Sequence, residues 1–405
     1  MIRKIIIILN SIFYLFISIG CSKEIVELDT IPKIIWKANL GPRPSDQLSQ
    51  QPFIYRDKVI FGYQVTGLIE GYYIYDKTNG SLIKDIMNQA SFDQTSVLYK
   101  NLYVSKIGVW LRSINLDNFE IRSQRIDSAD WTFPNLTLID DVLYFPRDGR
   151  NKYNPKENQY NIVGCDLNKG LRNFTFVRRS FNEEEGVLGS TSSAITKIKN
   201  QDGDEIIFHG ASKGFWKVGK KSKYRLEAYN TTKNEIIWET PEFEIEAESF
   251  GTIGHHPIID KCNVLFNISG QHLYCLDANT GKIKWITKGF EVGGLMTLYN
   301  GKITILNKSG DLMNIDSENG IVLSKKNIGP SSIKNICLHK GVLYFANVNN
   351  LLYAVDADTH AILWETKSPN SCSYCTYGFA YTVVDPETNR LYISDGKEVI
   401  CYQLK

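Results

Sequence analysis

The stretch LYCLDANTGKIKW, residues 273–285, is written again almost unchanged 79 residues further on as LYAVDADTHAILW, residues 352–364. Both open with Leu-Tyr, carry Asp at the fifth position and end in Trp. Anchored on the polar residue that closes LYCLD, the unit recurs at Asp76, Asp117, Asp166, Asn230, Asp277, Asp316, Asp356 and, more loosely, Gln403. The intervals run from 39 to 64 residues. Periods of this length filled with short strands mark a propeller array.

The copy at 296–324 shows the unit most plainly. Asn300-Gly301 is a two-residue hairpin turn that needs positive φ. Ser309-Gly310 is a second turn, and Asp316 to Gly320 a third. Four short alternating runs lie between and around them, so each unit is four antiparallel strands. The fold expected is all-β, a single eight-bladed propeller of four-stranded antiparallel blades. Seven blades is the alternative, if the weakly marked region 88–180 forms one irregular blade.

The third turn explains the repeated sentence. Its first residue is Asp or Asn (Asp76, Asp277, Asp316 and Asp356 among them), whose side chain can accept a hydrogen bond from the backbone two residues on. Four residues later stand Gly80, Gly170, Gly281, Gly320, Asn234 and His360, residue types that tolerate the left-handed region. Eight residues after the anchor stand Trp238, Trp285 and Trp364, rings at one height on the outermost strand, placed to lie against the next blade. The anchors at 76, 117, 166 and 316 put Lys84, Arg125, Phe174 and Ser324 there instead. Cys275, Cys401 and Ala354 share a small-residue slot, so these thiols read as core. The last unit has three strands before the chain ends. The segment around Trp36 supplies the fourth, pairing with the strand around Ile400 and removing two open edges.

The motif LDANTGKIKW resembles the quinoprotein (PQQ-like) propeller repeat, which reads Ala-x-Asp-x-x-Thr-Gly-x-x-x-Trp. The resemblance covers about 31–405, strongest in 270–366 and weakest in 88–180. Two kinds of relative matter. One is the large quinoprotein dehydrogenases. The other, the better match in plan, is the propeller lipoprotein of the outer-membrane β-barrel assembly machinery, a non-enzymatic eight-bladed ring.

Residues 1–20 read as a lipoprotein signal peptide. Arg3 and Lys4 precede fifteen mostly apolar residues, 5–19, followed by Gly20-Cys21. "SIGC" resembles a lipobox, which implies lipidation of Cys21. Residues 21–30 are then a lipidated tether and 31–405 the propeller. Ser22 in place of Asp points to the outer membrane of a Gram-negative bacterium, periplasmic or surface-facing.

Composition excludes little else. The 405 residues carry net charge +2, with 43% hydrophobic and 22% charged, so nothing suggests nucleic acid as a partner. The 22 tyrosines suit a pleated sheet. NQDGDE at 200–205 is too short for a calcium loop and reads as a turn. His255 and His256 are adjacent, so on a strand they face opposite ways and do not share a metal. The segment 199–225 is an insertion that lengthens the hairpin between second and third strands, and its KVGKKSKYR reads as a solvated tip. Glu242, Glu244, Glu246 and Glu248 alternate with apolar residues, giving an acidic face that guards an edge or meets a basic partner. Cys372 and Cys375 form a CxxC that reads as a structural pair or free thiols.

The quinoprotein resemblance implies a calcium ion, a catalytic Asp and a vicinal disulfide for an enzyme. No Cys-Cys pair occurs in the sequence, and no residue matches the metal ligands. No catalytic residue, metal ligand, PQQ or calcium is therefore expected. The expected function is a lipid-anchored, monomeric envelope scaffold that binds another protein in outer-membrane protein assembly. The alternatives are a PQQ-dependent oxidoreductase and a surface lipoprotein that binds glycans or small ligands.

Overall fold

A computed structural model describes residues 31–40, 47–48, 52–65, 69–89, 96–107, 110–125, 136–149, 159–171, 174–179, 187–192, 195–200, 202–215, 222–245, 257–268, 272–288, 295–307, 309–329, 335–347, 349–370, 377 and 380–405. Cys21, Glu246, Glu248, His255, His256, Cys372 and Cys375 lie outside them.

Eight antiparallel sheets follow one another along the chain. Blade 1 has its principal strands at Phe53–Tyr55, Lys58–Val65, Ile69–Asp76 and Leu82–Gln89, and the short Gln47–Leu48 also pairs with the second. Blades 2 and 3 span residues 96–125 and 137–179, each a regular four-stranded sheet. The ring therefore has eight blades, and region 88–180 is two of them. Blade 4 spans 187–245, blade 5 258–288, blade 6 295–327 and blade 7 337–367. Blade 8 takes Val383–Asp385, Arg390–Ser394 and Glu398–Gln403 from the C-terminus and Lys33–Asn39 from the N-terminus.

The core is a set of layers between blades. In blade 5, Leu273 and Cys275 pack on blade 6, while Tyr274 and Leu276 pack on blade 4. Alternation on one strand thus feeds two cores, because side chains leave a strand on opposite faces in turn. That is why LYCL is apolar throughout and wholly buried. Eight such clusters lie between successive blades, the last joining blade 8 to blade 1 through Trp36, Tyr73, Tyr392 and Cys401.

The turns follow their residues. Asn300 and Gly301 have φ of 50° and 71°, as the two-residue hairpin requires. Blade 4 carries the insertion as an extended hairpin, Glu205–Phe215 against Ser222–Asn230.

The closing seam is backed by an ion pair. Lys77 of blade 1 lies 2.9 Å from Asp385 of blade 8, and both are buried. Burial works against the Asp385 charge. The Thr388 hydroxyl and the Lys77 ammonium outweigh it and hold the carboxyl below its ordinary value. A carboxyl with a depressed folded pKa contributes stability above its unfolded value of about 3.9, lost as pH falls through the folded value. Asp385→Asn should therefore lower the unfolding midpoint in urea at pH 7, and the difference from wild type should shrink as pH drops below about 4. Pairing of the seam itself is checked by Trp36→Ala, expected to cost about 3–5 kcal/mol in the same measurement.

Candidate functional site

The junctions between blades hold the side chains that the repeat singles out. Asp277 Oδ1 accepts from Asn279 N at 3.1 Å and Thr280 N at 3.0 Å. Asp76, Asn230, Asp316 and Asp356 close their turns in the same way. Four residues on, Gly80, Gly281, Gly320, Asn234 and His360 all have positive φ. Asp166 begins a short 3-10 turn that ends at Gly170, with φ of 90° and ψ of 171°.

In blade 2 the anchor is Asn115, not Asp117. Asn115 Oδ1 accepts from Asp117 N at 2.9 Å, and Phe119, four residues after Asn115, takes the positive φ of 61°. The blade also lacks the bulge that blades 4, 5 and 7 place before the outer strand. There Trp238, Trp285 and Trp364 pair with Ala228, Cys275 and Ala354. In blade 8, Trp36 pairs with Cys401. In blade 2, Arg122 stands opposite Ser113, so Arg122 rather than Arg125 holds the position of the indole.

Each small residue makes room for a ring, and burial raises the Cys275 thiol to about 11 and the Cys401 thiol to about 12. These sulfurs are thiols at neutral pH and act as packing.

The rings reach the next blade's turn. A Cβ added to Gly80 would meet Trp36 at 2.4 Å, one on Gly281 would meet Trp238 at 2.5 Å, and one on Gly320 would meet Trp285 at 2.6 Å. Glycine is needed there twice over, for φ and for the ring lying on it. Trp36 Nε1 donates to Lys77 O and Trp238 Nε1 to Ala278 O, the carbonyl one residue past the anchor in both blades. Trp285 makes the ring contact without a partner for its Nε1 among the described residues. Where blade 6 has Ser324 instead, blade 7 has His360 instead of Gly, and Ser324 Oγ lies 3.4 Å from His360 Nδ1. At the junction of blades 1 and 2 the aromatic comes from the turn, with Phe119 packing on the shared core.

The junction of blades 2 and 3 differs. Arg122 turns to Glu120 at 2.9 Å, and nothing among the described residues lies within 4 Å of the Cβ position of Gly170. A cleft of about 760 Å3 opens there.

Blade 4 holds a second feature that the sequence pattern did not single out. His209 and Glu227 pair across strands, fully buried, with Nε2 3.2 Å from Oε2 but not aligned for a hydrogen bond. Arg225 Nε reaches Glu227 Oε1 at 2.5 Å, and its guanidinium lies 3.4 Å from Glu239. The available signal was charge at inward positions of an alternating strand. Beside it, Glu242 pairs with Lys223 at 3.4 Å, while 216–221 of the expected hairpin tip lie outside the described residues. Glu242 and Glu244 are exposed while Phe243 packs 5.4 Å from Tyr274. Asp204 of the acidic turn is held by Asn230 at 3.0 Å and Lys233 at 2.6 Å.

Repeat and ring together define an eight-bladed β-propeller whose repeat resembles the PQQ-like one. Residues 148–326, from blade 3 through blade 6, match the family described as outer membrane protein assembly factor BamB. No curated protein matches the chain. Among solved structures, BamB from Moraxella catarrhalis is 12% identical with a TM-score of 0.62, covering 92% of this chain and 100% of that one. The quinohemoprotein alcohol dehydrogenase ADHIIG from Pseudomonas putida HK5 is 10% identical with a TM-score of 0.61, covering 92% and 76%. A europium-containing methanol dehydrogenase is 8% identical with a TM-score of 0.63, covering 93% and 95%. At these identities the likeness establishes the fold. The dehydrogenases raise the question of a quinone and its metal. Among the described residues no three His, Cys, Asp or Glu side chains gather as a donor set for a metal ion.

The ring-on-glycine contact is separable from backbone strain. Gly281→Ala and Gly301→Ala both put alanine at positive φ, but only the first meets a ring, since Gly301 has its nearest neighbour at 4.0 Å. Gly281→Ala should lose about 1–3 kcal/mol more than Gly301→Ala by urea unfolding.

Proposed function

We propose that this protein is a protein-binding scaffold of the Gram-negative envelope, anchored through lipid on Cys21 and acting in outer-membrane protein assembly. The observation that carries the reading is how the repeat spends its residues. The turn Asp, the Gly and the Trp are all used to seat one blade on the next, and they recur around the ring. A reactive centre would occur once. The family match over blades 3–6 supports the assembly role.

The blade 4 hairpin offers a docking surface of suitable chemistry. It projects a strand pair of eleven and nine residues, longer than its counterparts in blades 5–7. Its outer strands present Glu235, Glu242 and Glu244 to solvent. A rigid ring with one extended, charged hairpin suits recognition of a polypeptide.

Affinity capture from native membranes with the anchor intact tests the reading. Co-purification of the barrel-assembly machinery is the expected result. Stoichiometric uptake of quinone and calcium with alcohol-dependent dye reduction would replace it with the oxidoreductase alternative, and specific glycan retention with the ligand-binding one. Anchoring is checked separately: Cys21→Ser should move the protein from the membrane to the soluble fraction, and a variant that stays in the membrane with residues 1–20 attached would refute the lipid anchor.

A further inference from the structure

We infer that the cleft between blades 2 and 3 is a receptor for an aromatic side chain presented by a partner polypeptide. The chain itself shows what this position takes. At three junctions the turn glycine lies under an indole from the preceding blade, at 2.4–2.6 Å from where a Cβ would stand. Ser324 with His360, and Phe119, fill two other junctions by different means. At Gly170 the glycine is kept but no ring among the described residues lies within 4 Å of its Cβ position, and a cleft of about 760 Å3 opens beside it.

The reason is local. Ser113 is a small, buried residue in the slot that faces an indole in blades 4, 5 and 7. Its outer-strand partner is Arg122, whose side chain is mostly exposed and bound to Glu120. The floor on the blade 3 side is Leu167, Gly170 and Leu171, and Gln124 lies along the strand. The cleft's cations are already matched, Arg122 by Glu120 at 2.9 Å and Lys169 by Asp166 at 3.0 Å. Among the described lining residues no cation is left without a counter-ion to call for an ionic ligand. A neutral, flat group is the complement, and the Arg122 guanidinium can lie against its face. An aromatic anchor in a pocket is also how protein interfaces concentrate their affinity.

This deepens the scaffold reading and rests on it for the ligand's being a polypeptide. The test therefore uses a probe that needs no partner. N-acetyl-L-tryptophanamide is titrated into the full chain and followed by saturation-transfer NMR, with N-acetyl-L-leucinamide as the apolar control. Saturable binding of the tryptophan amide, at least fivefold tighter than the leucine amide, is expected. Arg122→Trp places the chain's own indole in the slot and should weaken binding at least tenfold while keeping or raising the melting temperature. Gln124→Trp is a second plug from the same exposed strand, should the first variant fail to fold. Arg122→Ala leaves the cleft open and removes only the guanidinium from its face, so it should weaken binding by less than about fivefold, well short of the plugged variants. No saturable binding, equal binding of both amides, or equal binding to wild type and plugged variants would overturn the proposal. Membrane capture reads whether a polypeptide partner exists and the amide reads the cleft alone, so each can fail without the other.

Discussion

No blade of this protein can bury itself. Each is a single sheet with two apolar faces, and the central strands are covered only when a neighbour stands on either side. A linear stack would leave two faces bare at its ends, and a ring leaves none. Closure is thus the constraint on which the remainder depends. It is met by Lys33–Asn39 joining Glu398–Gln403 in the last blade and by Lys77 meeting Asp385 across the seam. A buried indole covers about 150–250 Å2, worth roughly 4–6 kcal/mol at about 25 cal/mol per Å2. Trp36, seated on Gly80, makes the seam as tightly packed as the junctions formed by consecutive blades.

The sequence is legible where one residue has one job. Asp277 closes a turn, Gly281 permits its φ, and Trp285 stands at a fixed offset, so the fold can be read from that one copy. Legibility fails where the offset changes. Blade 2 lacks the bulge, which shifts the indole position by one residue, and its turn begins at Asn115 with an unexpected Phe119 at positive φ. Counting from Asp117 therefore lands on Arg125 instead of Arg122. His209 and Glu227 were hidden for another reason: they face each other across strands, a proximity set by register that linear spacing does not display.

The junctions also differ in what holds them. Indole on glycine, serine against histidine, and a turn phenylalanine all seat a blade, which frees the outer surface to vary. Blade 4 uses that freedom most, with charged side chains paired along its hairpin and a buried Glu227 held by Arg225. Several devices thus achieve the same seating inside, while the outer strands and loops remain free to vary.

The seam has a consequence for the order of assembly. Strand 33–39 is synthesised before every other described strand, yet Asn39 must find Glu398 and Lys33 must find Gln403. During that interval blades 1 to 7 can each form from local hairpins, while the first strand waits without its sheet. Bringing such distant segments together carries the largest loop-closure entropy in the molecule and belongs late in folding. An incomplete chain would then be a crescent with exposed sheet faces at both tips, prone to sticking to its neighbours. Release of the chain before its first strand has docked would leave both tips open to such contacts.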